Sequence, residues 1–344
     1  MSTARADARL TAAALILTVA LPLGSGCAAE RPPAEPVAAA TPVDLSILRE
    51  EAIELLTAAA ASESAQLRAN AVEAFRLAPA RATDIIRAGL TDENLAVRYV
   101  AAMTAGELGD DSLLSAVRPL LNDESVSVRA AAVYAVRSLG ADADPSMLAP
   151  LLLTDPDARR RAQAAFILGE LGEPTAIPLL RDAARRDPAT ATLAELRLLR
   201  LQIAEALAKL GDDDAVETLR AALYPSRPEE LEAAALAAQI LGEVGDRRSV
   251  DQLIYLIERE GVDAMPPEVR LAAAGALAKL GERGGGFVAS AYDESENPVL
   301  RAQAAAVHGL VGMPEQVAPV RRLMDDPDPL VRVAAAAAAL RLTR

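Results

Sequence analysis

Two marks recur together about every 31 residues along this chain. An arginine opens each unit at Arg68, Arg98, Arg129, Arg161, Arg200, Arg270, Arg301 and Arg332, with Ala234 in that place in one further unit. Eleven residues later stand Gly109, Gly140, Gly172, Gly211, Gly245, Gly281 and Gly312, while the first and last units carry Pro79 and Thr343 instead. A fixed period of this length predicts a solenoid, in which each unit buries its apolar face only against its neighbours.

Between the two marks, the third, fourth, sixth, seventh and tenth positions after the arginine are apolar in nearly every unit, as at Ala132, Val133, Ala135, Val136 and Leu139. At 100° per residue these positions form one broad stripe, so the segment reads as a core-facing helix. The glycine at its end supplies the left-handed residue that closes many helices. A second helix precedes it in each unit, expected for example over Ser112–Leu121, Thr175–Arg185, Ser249–Glu258 and Glu315–Met324. Apolar residues reach 52% while aromatics make up only 2%, because alanine dominates, and alanine favours helices whose axes approach closely. The expected fold is an all-α superhelical solenoid of about nine helix pairs over residues 43–344. Three units are longer, with loops expected at Asp187–Thr192, Tyr224–Pro228 and Glu260–Pro267.

A third mark lies six residues before the arginine, at Asp92, Asp123, Asp155 and Asp326. An aspartate there can cap the following helix, and an Asp/Arg row can satisfy turn backbone groups along a stack. The spacing Asp-x5-Arg, followed by an alanine-rich helix and Leu-Gly, resembles the HEAT-repeat family in the short bacterial form also found in phycobilin lyases. The resemblance covers residues 43–344. It implies that Asp92/Arg98, Asp123/Arg129, Asp155/Arg161 and Asp326/Arg332 form a structural ladder, each aspartate pairing with an arginine of its own or the adjacent repeat.

The first 26 residues read as an export signal. Arg5 and Arg9 precede an apolar stretch from Leu10 to Leu23 that is too short for a stable transmembrane helix. The run Leu23-Gly24-Ser25-Gly26-Cys27 resembles a bacterial lipoprotein signal, although Gly24 stands where leucine is usual. The resemblance implies that Cys27, the chain's only cysteine, becomes the acylated mature N-terminus. Ala28 in place of aspartate then points to the periplasmic side of the outer membrane. Residues 27–42 hold four prolines and read as a tether.

The net charge of −14, with arginines spread through the repeats rather than clustered, argues against a nucleic-acid partner. One cysteine and one histidine cannot build a usual zinc site. Deoxyhypusine hydroxylases use related repeats with several His-Glu pairs to hold two irons, which a single His308 cannot supply. His308 occupies a position that is otherwise apolar and is expected to be a packed structural residue. No cofactor, metal or catalytic residue is expected. The leading function is a non-enzymatic envelope scaffold that binds a protein through its concave face. A lyase-like protein handling a chromophore or modified protein is the alternative. The candidate partner-binding residues are Tyr99, Tyr134 and Phe166, expected to stand exposed on that face, together with Gln163, Gln202 and Glu170.

Overall fold

The arginine-to-glycine segments each fold as one helix, and each is preceded by a second, as the stripe and the cap demand. A computed structural model describes residues 45–344. The signal sequence, Cys27 and the tether lie outside the described residues. The helices in chain order are α1 (Leu45–Ala60), α2 (Ala65–Ala74), α3 (Thr83–Leu90), α4 (Leu95–Leu108), α5 (Leu114–Val117), α6 (Val126–Ser138), α7 (Leu148–Thr154), α8 (Ala158–Leu171) and α9 (Ile177–Ala183). The second half continues with α10 (Leu193–Lys209), α11 (Asp213–Ala221), α12 (Leu231–Glu243), α13 (Val250–Glu258), α14 (Pro267–Lys279), α15 (Gly285–Ser290), α16 (Pro298–Val311), α17 (Val317–Met324) and α18 (Pro329–Leu342). Even-numbered helices carry the arginine-to-glycine segments and form the inner layer, and odd-numbered helices form the outer layer. Among the described residues this is an all-α solenoid of nine pairs. The three loops fall between α9 and α10, α11 and α12, and α13 and α14, where the longer units place them.

The stop signal works as the sequence requires. All seven cap glycines have positive φ, from 63° at Gly109 to 92° at Gly281. That backbone region penalises any residue with a Cβ.

Each inner helix packs on the next, and the series does not end at α18. Helix α18 packs against both α1 and α2, so the nine repeats close into a ring. Four side chains tie this seam. Arg49 donates to Leu340 O, Leu77 O and Thr343 Oγ1 at 3.3–3.5 Å, and Arg321 lies 2.7 Å from Glu51. Closure places the C-terminal ends of all nine inner helices around one mouth.

Inner helices do not approach equally. At Gly106, Gly169, Gly242 and Gly309, eight residues after the arginine position of alternate repeats, the neighbouring inner helix comes very near. A Cβ on Gly169 or Gly242 would sit 2.8 or 2.7 Å from the backbone Cα of Ala206 or Ala276, and one on Gly309 would sit 2.7 Å from that of Ala338. The ring is therefore built from tight repeat pairs, α4/α6, α8/α10, α12/α14 and α16/α18, with repeat one between the last pair and the first.

Candidate functional site

The arginine row is a ladder between repeats. Arg98 donates to Asp92 O (2.9 Å) and Glu93 O (3.0 Å) in its own turn, then grips Asp123 of the next repeat with two bonds at 2.8 and 3.0 Å. Arg68 holds Asp92 and Arg301 holds Asp326 in the same bidentate way. These guanidinium partners, with a backbone N–H at each turn, hold the Asp92 and Asp326 carboxyls below their usual range, and Asp123 is lowered against an opposing contribution from burial. The aspartates do not cap the inner helices directly. Each accepts from the N–H two residues on, and it is Asn94, Asp157 or Asp328 at that place that caps the helix.

The ladder is not uniform. Arg129 bonds Asp123 O and Glu124 O only, at 2.7 and 3.1 Å, while Asp155 is taken by Arg160 of its own repeat. Arg161 donates to Asp155 O (2.6 Å) and Arg186 O (3.1 Å), and Arg332 donates to Asp326 O (2.8 Å). A second tie joins outer helices to the residue after the cap glycine, through Arg181 to Asp212 (2.8 Å) and Arg220 to Asp246 (2.7 Å), and it went unread in the sequence. The signal was available, since aspartate directly follows Gly109, Gly211 and Gly245.

The expected exposed aromatic patch is not there. Tyr99, Tyr134 and Phe166 are only 8%, 5% and 3% exposed. The close approach of neighbouring inner helices leaves these rings between them. The Tyr134 ring lies over Gly106, where a Cβ would come within 2.6 Å of it, and Lys209 Nζ stands 4.7 Å from the Phe166 ring centre. Gln163 accepts from Ser127 Oγ at 2.6 Å, and buried Gln202 donates to Glu205 at 2.9 Å. His308 is fully buried, with one ring nitrogen 2.8 Å from Asp293 and the other against Gln316, so it is engaged on both sides.

What occupies the ring interior instead is a girdle of charge nine residues after the arginine position. In the α8/α10 pair, Lys209 bonds Glu170 at 2.6 Å and Glu205 at 2.5 Å. In the α12/α14 pair, Lys279 bonds Glu243. Lys209 and Lys279 are the only lysines in the chain. Both sit in the last turn of an inner helix, where the negative end of the helix dipole favours a cation. Burial pulls the Lys209 ammonium down, but Glu205 and Glu170 outweigh it, and it titrates above its usual value. For Lys279, burial, Arg341 and Arg76 pull downward and outweigh Glu205, so it titrates below its usual value.

The Glu-to-cation rule breaks in the remaining pairs. In α4/α6, Glu107 stands opposite Ser138, which brings no charge. In α16/α18, Arg341 stands opposite Leu310, which brings none either. Glu107 is 6% exposed, and its Oε2 accepts no hydrogen bond; its cation is Arg76 of repeat one, 3.5 Å away. Burial, opposed by Arg76 and reinforced by Glu73 and Glu170, pushes the Glu107 carboxyl up to about 7.

Glu107 and Ser138 lie in the wall of a cleft of about 420 Å³ at the C-terminal mouth of repeats two to four. Tyr134, Glu170, Asp142 and Glu173 also line it, with Arg137 bonded to Glu173. Of the six residues expected to bind a partner, only Tyr134 and Glu170 reach this cleft.

The HEAT-repeat family model matches residues 53–137, 83–166, 145–238 and 287–343, which together span more than half of the chain. The chain belongs to the HEAT-repeat family. This HEAT protein resembles the CpcE–CpcF complex of phycocyanin lyase from Nostoc sp. PCC7120, at 19% identity over 81% of this chain and 98% of that one, with a TM-score of 0.42. It also resembles an engineered protein, at 18% identity over 87% and 95% of the two chains and a TM-score of 0.36. Human deoxyhypusine hydroxylase is similar at 18% identity over 78% and 88%, with a TM-score of 0.35. No curated protein matches the HEAT chain in sequence. Among the described residues, no cluster of potential metal ligands is present and no helix is long and apolar enough to cross a membrane.

Proposed function

We propose that this HEAT ring is a non-enzymatic scaffold of the cell envelope, anchored by lipid on Cys27, that binds a protein partner by accepting a lysine or arginine side chain in the cleft of repeats two to four. The observation that carries this reading is Glu107. The same place in the next two pairs holds a glutamate satisfied by Lys209 or Lys279, whereas Ser138 leaves Glu107 without that cation. A partner's ammonium or guanidinium group entering the cleft would supply the missing donor. The ends of α4, α6 and α8 add their negative dipole ends to Glu107, Glu170, Glu173 and Asp142. A charge-assisted bond formed in a partly desolvated cleft is stronger than one in open water.

The test is a photo-crosslinking residue placed at exposed Asp142 in whole cells, with and without Glu107→Gln. A captured protein whose yield falls about tenfold in the Glu107→Gln chain supports the cleft. Equal capture by both chains overturns it. The anchor is tested separately by detergent partition. Wild type should enter the detergent phase and Cys27→Ala should not, and a wild type found wholly in the aqueous phase ends the lipoprotein proposal.

A further inference from the structure

We propose that the seam where the ring closes is a binding site for a small oxyanion, a phosphate or carboxylate group, held by Arg341, Arg76 and Arg344. Arg341 and Arg344 belong to the last repeat and Arg76 to the first, and ring closure packs those two repeats together. Arg49 marks the spot, since its bonds to Leu340 O and Leu77 O place it beside Arg341 and Arg76. The interior otherwise pairs each cation with an acid from the same tight repeat pair. In α16/α18 the acid is replaced by Leu310.

Arg341 is left with no side-chain hydrogen bond or ion-pair contact among the described residues, and Glu73 acts on it only at longer range. Arg76 is 10% exposed and touches Glu73 and Glu107 at 3.6 and 3.5 Å, both too long for good hydrogen bonds. Its Nε is buried with no partner. Lys279 faces the same region and is bonded to Glu243, with Glu205 acting from beyond it.

Around Arg341 and Arg76 the side-chain carboxylates at hand are Glu73 and Glu107, while Glu243 is taken by Lys279. Burial pushes the Glu73 and Glu107 carboxyls up. The arginines depress one another: burial and then Arg76 and Arg344 bring Arg341 down to about 10, and burial, Arg76 and Arg49 lower Arg344. A bound oxyanion would supply the acceptors that Arg341 and Arg76 Nε lack, and arginine's planar fork suits both phosphate and carboxylate. Because its ligands come from the first and last repeats, the anion would also fasten the ring, adding stability according to its occupancy.

The test is calorimetric titration of the full chain with inorganic phosphate and, separately, with malonate, each against chloride at matched ionic strength. One saturable site per chain is expected, weakened at least tenfold by Arg341→Gln. Tighter binding of phosphate assigns the site to phosphoryl groups, and tighter binding of malonate assigns it to carboxylates. No saturable site in wild type, or equal binding by Arg341→Gln, overturns the proposal. Should that variant fail to fold by circular dichroism, Arg344→Gln, at an exposed position, is expected to weaken binding by about threefold, and unchanged affinity there overturns it as well.

Discussion

Replacing Arg98 and Arg129 with alanine should have unequal costs, although the two arginines are equivalent in sequence. Arg98 is 11% exposed and joins its own turn to the carboxylate of the next repeat, itself 10% exposed. Its loss removes two carbonyl bonds and a bidentate ion pair, and leaves Asp123 with only the Ser125 N–H at 2.8 Å. Removing one partner of a well-buried pair costs about 3–5 kcal/mol, and water can reach the edge of this one, so we expect about 3 kcal/mol. Arg129 gives up only its two carbonyl bonds, because Asp155 belongs to Arg160. We expect about 1 kcal/mol there. Urea denaturation followed by circular dichroism should separate the variants by about 2 kcal/mol. The gap should also depend on pH. The Asp123 pKa is lowered from its usual 3.8, so its contribution is complete above that value and is lost as pH falls through the folded-state value. Equal costs for the two substitutions, or a gap that persists in strong acid, would refute the ladder reasoning.

Gly242→Ala should destabilise the ring by about 2–3 kcal/mol, since the new Cβ would lie 2.7 Å from the Ala276 backbone; Gly140→Ala, at φ 77° with open space around it, should cost about 1 kcal/mol in the same assay. Glu107→Gln should flatten the pH dependence of stability. A carboxyl raised from 4.5 to about 7 makes the wild type lose stability as pH rises between those values, so the variant should gain on wild type by about 3 kcal/mol at pH 8 and very little at pH 4. Urea midpoints at the two pH values that move in parallel would contradict the assigned burial.

Local chemistry repeated nine times was legible in the chain. The arginine-to-glycine segments gave the inner helices, the cap glycines gave their ends, and the aspartate six residues before the arginine gave the turn, because each depends on neighbours within one repeat. The alternation of Gly-Glu with Ala-Lys at the ends of α8, α10, α12 and α14 was also written in the sequence, yet its meaning depends on which helices approach most closely. Which carboxylate Arg129 or Arg160 would hold could not be read, since Asp-x5-Arg fits both a bond within the repeat and one to the next. Tyr99, Tyr134 and Phe166 sit on the helix side opposite the stripe, which would be exposed in an open superhelix. The tight pairing of neighbouring helices decided otherwise for these rings, and closure decided the seam. The small rotation between successive repeats accumulates over the whole stack, and no single repeat encodes whether the sum brings α18 back to α1. That sum brought the repeats of Arg341 and Arg76 together, whereas the aromatic rings were buried by the close approach of neighbouring inner helices.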